Sequence, residues 1–365
     1  MANQNVGTPR FIIDYIQYFQ VNGLAKSNYA SNNHYFWNAP SPWNSWEQET
    51  ANHMLSLIGL NPVHDFTFTG MNVAGSYNVD DEWVEYTGWN YVVRMDKSFP
   101  VHECNIVGLL GHNIKTTGGM MGFEYFAGGG VYPNAMLTDD FEVNVTRDGS
   151  SKRFSADFDG FSFCSCNGAE TALPVYDHIV PNIRGVPDPM EKTYKPGSLL
   201  WGRYYDMPHS PELSLTMSHE YDGIKKQETA GGSTLGYVNY YKPPDWGDDL
   251  QAWQLDGWDR KYSGRRVWDL AFNYLSDFDI EPYHYNMDES HPDWNEDGNW
   301  FTNVLHYTNG GQLPFIFCPD PSIPYYTSSW TIPEFAICRF DMKTFKREQV
   351  ANGVYNIKVK IKESW

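Results

Sequence analysis

Asn352-Gly353-Val354-Tyr355-Asn356-Ile357-Lys358-Val359-Lys360-Ile361-Lys362-Glu363 closes the chain with strict alternation. Tyr355, Ile357, Val359 and Ile361 fall on one set of positions; Asn356, Lys358, Lys360 and Lys362 fall on the other. Successive side chains of an extended chain point to opposite faces, so this pattern describes a half-buried β-strand. Arg265-Arg266-Val267-Trp268-Asp269-Leu270-Ala271-Phe272-Asn273-Tyr274-Leu275-Ser276-Asp277 repeats it, with Trp268, Leu270, Phe272 and Tyr274 on one expected face. Leu313-Pro314-Phe315-Ile316-Phe317-Cys318 has no alternation and prolines near both ends, as a strand buried on both sides would. With Glu334–Asp341 these make four strands within a hundred residues, and they mark a β-domain without an evident active site.

Composition extends that reading to the whole chain. The 365 residues suffice for two domains of ordinary size. Aromatics make up 16%, which favours pleated surfaces, and 31 Gly with 22 Pro break up long helices. The expected class is all-β: two β-sandwich, jelly-roll-like domains with few short helices. The expected boundaries are an N-terminal docking arm at 1–25, a first sandwich at 26–185 and a second at 198–365. Thr8 to Phe19 reads as strand or short helix, because Phe11, Ile13 and Tyr15 alternate while Phe11, Tyr15 and Tyr18 keep helical spacing. Pro181 to Met190, followed by Lys195-Pro196-Gly197, reads as the connector. Leu213-Ser214-Leu215-Thr216-Met217-Ser218-His219 alternates cleanly as a strand of the second domain.

A net charge of -19 repels a nucleic-acid backbone, so no nucleic-acid partner is expected. No apolar run reaches membrane-spanning length, and the polar start Met1-Ala2-Asn3-Gln4-Asn5 lacks the pattern of a secretory signal. Cysteines at 104, 164, 166, 318 and 338 do not form an even framework, which points to a reducing compartment. Lys346-Arg347 and the Lys358/Lys360/Lys362 row read as a solvated face or a patch meeting an acidic neighbour.

Four groups of residues are candidates for chemistry or contact. Gly111, His112 and Asn113 end a buried strand, and the imidazole and amide would bond backbone groups freed by a structural turn. Trp246, Trp253 and Trp258 lie beside carboxylates in loops, as interface or glycan-stacking residues would. Asp293, Asn295 and Asp297, followed by Gly298, open like a calcium loop, but the twelfth position is Val304 where a bidentate acid is needed. They are weak metal candidates, and no cofactor is expected. Asp245, Asp256 and Asp259 near tryptophans suggest a glycosidase pair, yet nothing fixes their separation and no catalytic motif accompanies them. The protein reads as no enzyme.

Thr8-Pro9-Arg10-Phe11, Leu109-Leu110-Gly111-His112-Asn113, Gly264 to Leu270, Leu313 to Phe317, and Phe335 to Phe340 with Tyr355-Asn356-Ile357 resemble a family of virion structural proteins of tailed bacteriophages, especially aquatic ones. The Leu-Gly-His-Asn turn is similar to that of galactose-binding-like sandwiches in phage tail and fibre proteins. The resemblance implies a virion component, folded in the host bacterial cytoplasm, that docks in a tail, baseplate-like or adaptor assembly. Its partners would be other virion proteins and further copies of itself. Two other functions stay open: a carbohydrate-binding module that recognises host surface glycan, and a hydrolase acting on host polysaccharide.

Overall fold

The computed structural model describes residues 6–21, 35–38, 74–79, 82–94, 106–112, 120–127, 130–132, 145–147, 154–156, 160–165, 176–185, 198–221, 224–238, 245–246, 250–251, 264–282, 298–322 and 334–364. In chain order the strands are β1 (Arg10–Asp14), β2 (Tyr35–Asn38), β3 (Ala74–Val79), β4 (Glu82–Arg94), β5 (Ile106–His112), β6 (Met120–Ala127) and β7 (Gly130–Tyr132). Next come β8 (Val145–Arg147), β9 (Phe154–Ala156), β10 (Gly160–Ser165), β11 (Tyr176–Gly185), β12 (Ser198–Asp206), β13 (Thr216–Glu220), β14 (Ile224–Glu228) and β15 (Thr234–Val238). The last are β16 (Asp245–Trp246), β17 (Leu250–Gln251), β18 (Arg265–Ser276), β19 (Phe315–Cys318), β20 (Ala336–Phe340), β21 (Arg347–Ala351) and β22 (Val354–Glu363). Among the described residues the only helices are α1 (Tyr15–Val21), α2 (Asp277–Ile280) and a π-helical turn at Phe301–His306. The protein is all-β, as its alternation and punctuation imply.

A ten-stranded sheet runs β10-β5-β12-β1-β19-β20-β22-β18-β13, with β21 also paired to β22. An eight-stranded sheet runs β2-β4-β11-β6-β9-β8, with β3 on β4 and β7 on β6. Pairing is antiparallel throughout both.

The N-terminal segment differs from the expected docking arm. Over Arg10–Asp14 it is an inner strand, pairing β12 on one side and β19 on the other. The reason is visible in Phe11-Ile12-Ile13, all three buried. Both faces of an inner strand need apolar cover, and this tripeptide supplies it to both. Phe11 sits opposite Tyr205 and Phe317, with its ring 4.8 Å from that of Trp300 and 5.6 Å from that of Phe315. Ile12 joins the other face, with Ile106, Phe163, Leu200, Ile316 and Ile337. A Cβ at Gly202 of β12 would fall 1.8 Å from the Ile13 carbonyl oxygen, so only glycine allows that close approach. The strand-or-helix ambiguity resolves in sequence order: β1 runs directly into α1, whose Tyr15 and Tyr18 pack on Tyr307 with ring centroids 4.9 and 5.0 Å apart.

The large sheet also crosses the expected domain boundary. It takes β5 and β10 from the first expected domain and β12, β13 and β18 to β22 from the second, with β1 between β12 and β19. The connector expected from Pro181 begins too early, because β11 continues to Gly185 and pairs Pro181 with Phe123 of β6. Proline has no N–H to donate. On its other side β11 pairs at Ile179 and Asn182 with β4, and Val180 and Pro181 have no partner there.

β18 and β22 carry the alternation that opens the reading, and they pair in register with Trp268 opposite Ile361 and Leu270 opposite Val359. Tyr274 departs from it. The register shifts between Phe272 and Leu275, so Leu275 takes the buried place and Tyr274 is 79% exposed. A bulge of this kind re-aims a side chain by inserting an extra residue. Tyr274 has φ +60°, and its backbone N–H donates to Asn356 Oδ1 at 3.1 Å.

Phe11→Ala is expected to cost about 3–5 kcal/mol in chemical denaturation, as for a ring removed from a closed core rather than from a surface arm. At the bulge, Tyr274→Val is expected to be less stable than Tyr274→Gly by about 1–2 kcal/mol in the same assay, because glycine alone accepts the left-handed backbone freely.

Candidate docking surface

Of the strand expected over 213–219, only the part from Thr216 forms: β13 runs Thr216–Glu220, Leu213 and Leu215 precede it, and Met217 is its one apolar residue. β13 pairs β18 with Met217 opposite Trp268, which puts Met217 on the Trp268 face of the sheet. Trp268, Leu270 and Phe272 on that face are buried. One strand further out Met217 is 44% exposed, and outside the ends of β13 Leu213 is fully exposed and Tyr221 is 46% exposed. β13 ends the strand order, and among the described strands it pairs β18 alone. An alternating strand normally earns its pattern by burying one face. Here that face and one backbone edge both meet solvent.

The chain continues into β14 and β15, which pair only with each other among the described strands. Their turn is closed locally. Thr229 N–H donates to the Ser233 carbonyl at 2.9 Å, Ser233 N–H donates to Thr229 Oγ1 at 3.0 Å, and Gly232 supplies φ +79°. Residues 226–236 are exposed on both sides of this ribbon, Leu235 included. An isolated two-stranded ribbon is marginal in water, so contact with something else would stabilise it.

Several charged groups are paired within the chain. Arg266 is buried and donates to Glu363 through Nε at 3.0 Å and through one terminal nitrogen at 2.9 Å. It also bonds Glu334 and, at 3.1 Å, the Phe335 carbonyl. Burial works against its charge, but the Glu363 and Glu334 carboxylates outweigh that and hold its pKa above the ordinary arginine range. The sequence carried a signal for this pair. The buried rows Trp268-Leu270-Phe272 and Ile357-Val359-Ile361 each continue by two residues into a charge, Arg266 and Glu363, of opposite sign.

The basic row meets acids of its own chain rather than waiting for a neighbour. Lys360 Nζ donates to Asp341 at 2.7 Å, Lys362 bonds Glu220, and Arg347 bonds Glu281. Arg10 grips Asp206 with two hydrogen bonds of 2.6 and 2.7 Å. Cys318 and Cys338 are buried free thiols, and burial raises both pKa values, so they are protonated core fillers.

His112 is the last residue of β5 and is completely buried, so it belongs to the strand rather than to a following turn. Its Nε2 lies 2.7 Å from the hydroxyl of buried Ser162 on β10, the next strand. Burial lowers its pKa to about 3, against the opposing effect of a hydrogen bond to the Phe161 backbone. The imidazole is therefore neutral near pH 7, and with both partners buried the pair ties two strands together. Sequence reading missed Ser162, which lies fifty positions away. Gly111 precedes His112 on the same strand, and Asn113 lies outside the described residues.

Trp246 falls on β16, paired with Leu250. Trp253, Trp258, Asp293, Asn295 and Asp297 lie outside the described residues. Val304, at the twelfth position of the calcium-like pattern, is buried in the π-helical turn. Among the described residues no three acidic, histidine or cysteine side chains come together as a metal site. No helix there is long and apolar enough to cross a membrane.

Comparison with protein-family models, curated proteins and solved structures finds no match for this chain.

The His112 environment predicts a pH dependence. The folded imidazole takes up a proton only near pH 3, while the unfolded one does so near 6.5. Between these values the unfolded state binds more protons, so stability is complete above 6.5 and falls as the pH drops toward 3. Relative to His112→Gln, the wild type should lose up to about 1.4 kcal/mol per pH unit below 6.5 in denaturation series.

Proposed function

We propose that the protein is a structural component of a multiprotein particle, a tailed-bacteriophage virion on the resemblance of its motifs, and that it works by docking through β13 and the β14–β15 ribbon. The observation that carries this reading is the outer edge of β13, which has no partner among the described strands and where Met217, opposite buried Trp268, is exposed together with nearby Leu213. Exposed apolar surface of this kind, beside an open strand edge, marks a site of protein contact. Arg266 and Lys360 are paired with carboxylates of the same chain, and the described thiols Cys318 and Cys338 are buried. Buried free thiols suit folding in a reducing cytoplasm before assembly.

The test is incorporation into purified particles. The wild type should be present at a fixed copy number. A Leu213→Ser/Met217→Ser double variant should fold with an unchanged thermal midpoint and yet be incorporated more than about tenfold less, equivalent to roughly 1.4 kcal/mol of lost contact. Equal incorporation of the variant would remove β13 from the contact. A wild-type chain absent from particles that binds host glycan saturably would replace docking by carbohydrate recognition.

A further inference from the structure

We propose that the contact between β5 and β10 is an acid-sensitive release: protonation of His112 frees β10, the terminal strand of the ten-stranded sheet, while the strands beyond β5 keep their pairing. The proposal is independent of the docking reading and concerns the end of the sheet opposite β13.

The first support is where the imidazole points. Ser162 of β10 pairs with Leu109 of β5, and Gly160 pairs with His112. Gly160 and Ser162 share a face of their strand. The register shift between Gly160 and Phe161 therefore turns His112 to the side of Leu109 and Ser162, away from the layer that holds Leu110, Phe161 and Phe163. There the imidazole is fully covered, with Nε2 2.7 Å from the Ser162 hydroxyl and a further hydrogen bond to the Phe161 backbone. Both of these partners belong to β10.

The second support is which strand can give way. A charged imidazole is costly in a site closed to water, so its protonation favours an opening. β5 is held from both sides, by β10 and by β12. β10 is six residues long and pairs β5 alone among the described strands. It covers the imidazole and has one neighbour to lose. Its Phe161 and Phe163 pack on Phe335 with ring centroids 5.9 and 5.3 Å away, so its release bares an apolar layer as well as the edge of β5.

The neighbours that the register sets around the imidazole do not titrate. They are Leu109 on β5, Gly160 and Ser162 on β10, and Leu199 opposite Leu109 on β12. β16, which also packs against β5, carries Asp245. A carboxylate acting on the imidazole would raise its proton affinity, and the net shift is downward, to about 3. In the open form the imidazole takes its proton near 6.5. As the pH falls from 6.5 toward 3, the open form therefore gains up to about tenfold in population per pH unit.

The experiment is hydrogen exchange of the full chain between about pH 7.5 and 4.5, read by mass spectrometry over 160–165, 265–276 and 354–363 and corrected for the intrinsic exchange rate. Opening of 160–165 is expected to rise about 100-fold over that range. The β18 and β22 peptides are expected to open less than 160–165 at every pH. In His112→Gln, which has no imidazole to protonate, opening of 160–165 is expected to stay flat. Equal opening of all three peptides at each pH would make the acid response a global unfolding and overturn the proposal. A flat response of 160–165 in the wild type, or the same rise in His112→Gln, would overturn it too. If the variant does not fold, the wild-type peptides decide the question alone.

Discussion

The structure depends on a strand from the beginning of the chain being inserted between strands from its second half. Phe11 and Ile12 are neighbours in sequence, yet each completes a different apolar layer, one around Trp300, Phe315 and Phe317, the other around Leu200, Phe163 and Ile316. Without β1 the sheet would have unpaired edges at β12 and β19, and two layers would each lose their central side chain. Arg10 and Asp206 make the same closure electrostatically across 196 positions. Contacts at that separation carry a loop-closure cost before they contribute stability.

Buried charge acts on register more than on net stability. Moving Arg266 and Glu363 out of water carries a desolvation cost that offsets much of their attraction. Their geometry is nevertheless specific: two parallel hydrogen bonds between β18 and β22, with Glu334 and the Phe335 carbonyl holding the remaining donors. A slip of one residue would carry Trp268, Leu270 and Phe272 to the opposite face and separate the pair. At the other end of the same sheet, His112 and Ser162 join β5 to β10 through a neutral hydrogen bond. Charge and hydrogen bonding thus pin strands whose apolar alternation alone would leave several registers open.

β13 and the ribbon beyond it contrast with the buried part of the sheet, because most of their residues are exposed. Trp268 is buried and Met217, its neighbour across the pair, is half exposed. The face therefore runs past the edge of the core into solvent.

The sequence by itself determined the class of the fold and most of the strands that matter. Alternation in Arg265–Asp277 and in Asn352–Glu363, and the unbroken run ending at Cys318, translate directly into β18, β22 and β19, because side-chain direction in a strand is a local property of the backbone. The strand expected over 213–219 forms only from Thr216 onward, as β13. Tertiary structure decided what local pattern cannot carry. It placed β1 inside the sheet rather than in an arm, and it joined strands from both sides of the 185–198 connector. It set Tyr274 outward at a bulge where alternation had placed it inward, and it brought Ser162 to His112. Each of these depends on which distant strand lies alongside, a choice settled by the packing of whole layers and by closure of long loops. That Met217 lies exposed opposite a buried Trp268 could be known only once the described strands had their places.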